Sequence, residues 1–97
     1  MNGSISEEVK NYLNITWEDD ETNKKVDGII RRAQSVIENY AGTDMDITDD
    51  SVVKQLFLDC CRYIYNDCFE DFERNFSNDL FFLRQIKKIE RMNRSAQ

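Results

Sequence analysis

Apolar residues recur at helical spacing along almost the whole chain, and the polar residues between them supply starts and stops. Ser4 followed three residues later by Glu7 fits a capping box, and Val9, Tyr12 and Leu13 share one face after it. These predict a short first helix over about residues 5 to 13. Ile15 and Trp17 follow, and then the acidic run Glu18-Asp19-Asp20-Glu21, which suits the positive pole at the start of a second helix. From about 20 to 41, Val26, Ile29, Ile30, Ala33, Val36, Ile37 and Tyr40 fall within an arc of roughly 120°, with Lys24, Asp27, Arg31 and Glu38 opposite. Ala41-Gly42 ends that helix with a glycine cap, and Thr43 to Thr48 reads as a loop.

Asp49 or Asp50 caps a third helix, which the pattern carries to about Phe72. Its first stripe is Val53, Leu56, Phe57, Cys60, Ile64 and Cys68, flanked by Cys61 and Tyr63, and is expected to pack antiparallel on the second helix. A second stripe, Leu58, Tyr65, Phe69 and Phe72, lies about a third of a turn or more away and is separated from charged positions such as Asp59 and Arg62. A small monomeric domain has little reason to keep two stripes on one helix, so these four residues are the candidate subunit interface, unless the first or last helix covers them.

After a bend at Asn75 to Ser77, a last helix spans about 78 to 93. Phe82, Leu83, Ile86, Ile89 and Met92 take one half of its wheel, and Arg84, Lys87, Lys88, Arg91 and Arg94 the other. A basic amphipathic helix can lie on a membrane, enter a partner's groove or face water. The fold class is therefore all-α: one domain over residues 1 to 97, a four-helix arrangement built on an antiparallel hairpin of about 20 to 41 and 49 to 72. Residues 1 to 4 and 94 to 97 are expected to be flexible.

Charge alters this picture at the C-terminal end. The chain carries a net charge of −6, but residues 1 to 83 hold 8 basic and 18 acidic side chains while 84 to 97 hold 5 basic and 1 acidic. So acidic a body repels a nucleic-acid backbone, which argues against sequence-reading DNA binding. The basic last helix, in contrast, is suited to docking on something acidic.

Catalytic chemistry finds little to build on. There is no histidine to act as general base, and Gly3, Gly28 and Gly42 are too scattered for a phosphate loop. Cys60, Cys61 and Cys68 lack CxxC spacing and read as reduced thiols, with Cys61 and Cys68 seven apart on one helix face. The segment Asp44-Met45-Asp46-Ile47-Thr48-Asp49 hints at a calcium loop, but Asp49 stands where glycine must turn the chain and Gln55 where a bidentate glutamate is needed. Neither catalytic activity, nor a cofactor, nor a metal is expected. No apolar run approaches the ~20 residues of a membrane span, and the N-terminus lacks a signal-peptide layout, so the expected setting is intracellular.

Three segments carry a family likeness: Glu8-Val9-Lys10-Asn11-Tyr12-Leu13-Asn14-Ile15-Thr16-Trp17-Glu18-Asp19-Asp20, the helix from Gly28-Ile29-Ile30 to Ala41-Gly42, and Arg62-Tyr63-Ile64-Tyr65-Asn66 with Phe69-Glu70-Asp71-Phe72 and Asn75-Phe76. Over about residues 7 to 83 the chain resembles the head-tail connector (adaptor) family of long-tailed double-stranded DNA phages. The resemblance implies a small helical subunit of a homo-oligomeric ring, about a dozen-membered, lying beneath the portal protein and meeting head-closure or tail proteins. Genome DNA would pass through the lumen without its sequence being read, past acidic side chains that repel phosphate. The setting so implied is the virion head-tail junction, with assembly in the host cytoplasm. Family members grip the portal through C-terminal segments, which makes Arg84, Lys87, Lys88, Arg91 and Arg94 the candidate docking residues, although the tail matches no fixed pattern of the family. The rival expectation is a small cytosolic helical adaptor whose second stripe binds one partner helix.

Overall fold

The computed structural model of the protein describes residues 2 to 43 and 51 to 95. All regular structure among them is helical: α1 (Asn2–Tyr12), α2 (Asp20–Ala41), α3 (Ser51–Tyr65), α4 (Phe69–Asn75) and α5 (Ser77–Ser95). Five helices replace the expected four, because the long third helix is broken after Tyr65. Another expectation shifts with the boundaries. Helix α1 begins at Asn2, which puts Ser4 inside it and not at a cap. The expected cap at Asp49 or Asp50 and the acidic loop from Asp44 lie outside the described residues.

The stops are set by backbone chemistry. At the end of α1, Asn14 takes a left-handed conformation (φ 61°) while the Ile15 N–H reaches back to the Lys10 carbonyl at 2.9 Å. At the end of α3, Asp67 does the same (φ 62°), with Asp67 N–H donating to Ile64 at 3.1 Å and Cys68 N–H to Tyr63 at 2.9 Å. The paired back-reaching bonds form a Schellman stop, and Asn and Asp tolerate its left-handed residue better than other side chains. The Asn66 side-chain amide also donates to the Arg62 carbonyl at 2.9 Å, beside the Asn66 backbone N–H that donates to the same oxygen at 3.0 Å. Cys68 thus sits beyond the break and shares no helix face with Cys61.

The start of α2 follows from its acidic run. Asp19 is extended (φ −158°) and accepts a 2.7 Å hydrogen bond from the Thr22 N–H, and Asp20 and Glu21 occupy the first turn at the positive pole. Twenty-two residues later Gly42 closes the helix at φ 75°, a conformation that costs glycine nothing.

Helix α2 packs against both α3 and α5, and α1 bridges α2 and α3. The core gathers Val9, Val26, Ala33, Ile37, Val53, Phe57, Cys60, Cys61, Phe72 and Leu80, all fully or almost fully buried. The molecule measures 49 × 30 × 17 Å. With helices spaced about 8–10 Å apart, the short dimension holds two layers, so a helix is covered on one side and open on the other.

Candidate assembly surface

The four residues of the expected interface stripe fall mostly inside the subunit. Leu58 and Phe72 are buried, and Tyr65 and Phe69 are half-buried against the core. Phe72 leaves no exposed surface and is ringed by Tyr63, Phe69 and Phe76, with ring centroids 5.8, 6.0 and 4.9 Å away. The remaining two are roofed by cations of α2: Lys25 lies 5.2 Å over the Tyr65 ring and Arg32 5.3 Å over Phe69. The physical reason is the break at Asn66-Asp67. It swings α4 out of the line of α3, so the apolar residues past the break fold onto the subunit's own core instead of continuing a stripe towards a neighbour.

An open apolar face does exist, on α5. Phe81, Phe82, Ile89 and Met92 are 64, 62, 55 and 61% exposed and lie within an arc of about 100°. Leu80 and Leu83 point the other way into the core. The sequence carried a signal for this. Leu80-Phe81-Phe82-Leu83 are four successive apolar residues spread over about 300° of a helix, and one core cannot receive them all. Along the edge of this face, α5 and α3 diverge into a groove of about 520 Å³, whose walls include Val52, Val53, Leu56, Phe82, Leu83 and Ile86. Asp79, Lys87 and Glu90 also border it.

The basic residues of α5 do not form one cluster. Lys87 is half-buried and donates to Glu90 at 3.2 Å on the groove side. Arg84 and Lys88 are exposed on the opposite flank, where they line a depression with Phe81 and with Asn39, Ala41 and Gly42 at the end of α2. The last turn of α2 carries no basic residue of its own, so these two cations stand beside its negative pole. The side chains of Arg91 and Arg94 lie outside the described residues.

Elsewhere the polar chemistry is structural. Tyr12 donates to buried Asp59 at 2.5 Å, and Gln55 and Arg62 also donate to that carboxylate, at 3.4 and 3.5 Å, tying α1 to α3. Burial and then the hydrogen bond to Asp59 raise the Tyr12 hydroxyl above its usual pKa. Lys10 bonds both Glu18 and Asn23, and holds the α1–α2 connection. Among the described residues, no group of three or more acidic or cysteine side chains converges where it could hold a metal ion. Nor is any helix there long and apolar enough to cross a membrane. No family model, curated protein or solved structure matches the chain.

Proposed function

We propose that this chain is a structural, non-catalytic subunit of a phage head-tail connector ring, docked beneath the portal and enclosing a channel for genome DNA. The observation that carries the reading is the open apolar face of α5: four large side chains more than half exposed on one helix call for a partner in a molecule that already has a well-filled core. Two further features support it. The acidic body up to residue 83 suits a lumen through which phosphate must slide, and the resemblance of residues 7 to 83 to the connector family supplies the ring and the portal. The base of the subunit is read as an antiparallel hairpin of α2 and α3, which the approach of Lys25, early in α2, to Tyr65, at the end of α3, favours. On this reading the C-terminal part of α5, with its basic residues, meets the portal, and the assembled particle belongs to the virion head-tail junction.

The test is native mass spectrometry and light scattering of the chain, alone and mixed with the portal protein of a long-tailed phage. The expected result is a closed assembly of many subunits. A chain that stays monomeric at every concentration, with and without the portal, overturns the proposal. The groove between α3 and α5 favours a second reading, an adaptor that takes one partner helix, and a stable complex of one chain with one partner in the same measurement would select it.

A further inference from the structure

We infer that the joint between neighbouring copies is built from the two flanks of α5: Phe81 and Met92 with Arg84 and Lys88 on one copy seat in the α3/α5 groove of the next, against Asp79 and Glu90. The inference rests on the reading that the chain assembles with itself, and it names the surfaces.

The two flanks differ in charge. At 100° per residue, Arg84, Lys88, Phe81 and Met92 occupy one side of α5, and Phe82, Ile86, Asp79 and Glu90 lie roughly 160° round from them. The first side is apolar with a basic edge, the second is the wall of an apolar groove with an acidic rim. Lys87 already pairs with Glu90 across one turn, which leaves Glu90 exposed and able to accept a second donor. Exposed pairs of this kind are worth little by themselves, so the apolar residues supply affinity and the charges select orientation.

Orientation follows from what the other pairings would cost. Placing the basic flank on its own copy brings Arg84 and Lys88 of two subunits together, and placing the groove on itself does the same for Asp79 and Glu90. Both arrangements set like charges face to face in a partly dehydrated contact, which is unfavourable. Only flank against groove joins opposite charges. Such a contact is heterologous: each copy offers a flank to one neighbour and a groove to another, so the arrangement propagates and closes wherever the rotation between copies allows. Of the five basic residues, Arg84 and Lys88 are then engaged within the assembly, leaving Arg91 and Arg94 for the portal.

Two charge-reversed chains test this. One carries Arg84→Glu with Lys88→Glu, the other Asp79→Lys with Glu90→Lys; all four positions are exposed, and circular dichroism verifies that both chains keep their helices. Under conditions where the unaltered chain assembles, each variant alone is expected to stay at subunit mass, since its flank and groove now carry the same sign. An equal mixture is expected to recover a many-membered assembly with the two variants in equal number, because the reversed, acidic flank of the first fits the reversed, basic groove of the second, and the second's native flank fits the first's native groove. Assembly of either variant alone at the wild-type mass overturns the joint and leaves the ring reading standing, whether another copy surface, residues 44 to 50 or a different protein covers the groove. A mixture that stops at two-chain particles also overturns it, in favour of an isologous contact. An unaltered chain that never assembles, even beside the portal, removes both.

Discussion

Replacing Phe72 by alanine distinguishes a ring that holds the subunit together from one that waits for a neighbour. Phe72 is fully buried and touches three other aromatic rings at 4.9 to 6.0 Å. Truncating a buried Phe costs about 3–5 kcal/mol through lost burial and the cavity left behind, and the loss of several ring pairs places this site towards the upper end. A domain of 97 residues has a total stability of about 5–15 kcal/mol, so the variant would retain a fraction of it and melt roughly 15–30 °C lower. Phe72→Leu keeps most of the apolar volume but loses the ring geometry, and should cost about 1–2 kcal/mol. The control is Phe81→Ala: that side chain is 64% exposed, and its loss should change subunit stability by no more than about 0.5 kcal/mol while weakening assembly. Urea denaturation followed by far-ultraviolet circular dichroism, on samples shown by scattering to be at subunit mass, measures all three. A Phe72→Ala chain within about 1 kcal/mol of the wild type, or a Phe81→Ala chain equally destabilised, would refute the assignment of Phe72 to the core and of Phe81 to the surface.

Three more predictions concern Gly28, the cysteines and the groups whose protons the folded chain holds. A methyl group added at Gly28, in the middle of α2, would meet nothing within 4 Å, so Gly28→Ala should stabilise the chain by about 0.5–1 kcal/mol through helix propensity alone; an equal or lower urea midpoint would contradict this. Burial pushes the Cys60 thiol up to about 12 and raises Cys61 as well, so both stay protonated at pH 8, and a thiol-reactive disulfide should label half-buried Cys68 first, with all three reacting only in denaturant. The same raised thiols, joined by the Tyr12 and Tyr40 hydroxyls, keep their protons longer in the folded chain than in the unfolded one. Their contribution is therefore complete below the unfolded-state values of about 8.5–10 and is lost as pH rises beyond them, so the melting temperature should fall between pH 8 and 10.5; a flat profile would contradict the assignment.

The local code of the chain determined most of its helices. Asp19 and Gly42 bound α2 because each supplies what a helix end lacks, an acceptor for orphan N–H groups at one end and a left-handed residue at the other, and both requirements are met by single residues visible in the sequence. The bend before α5 and the core-facing stripes of α2 and α3 were legible for the same reason: helical periodicity is local. The break after Tyr65 was also written in the chain, in Asn66-Asp67, but the unbroken apolar spacing across it pointed to a continuous helix, and the left-handed preference of Asn and Asp is too weak to decide against that pattern alone.

Tertiary packing decided what periodicity cannot express, namely which of two apolar faces on a helix is covered. On α3 and α4 the extra aromatics turned inward, because the break let α4 fold back and because Lys25 and Arg32 of α2 reach over Tyr65 and Phe69. On α5 they stayed outside, because Leu80 and Leu83 fill the space that the core offers that helix, and the two-layer slab has no third layer to cover its far side. A wheel records the direction of each side chain relative to its own axis. It holds no information on where the other helices lie, and that placement moved the open face of this protein from Tyr65 and Phe69 to Phe81, Phe82, Ile89 and Met92.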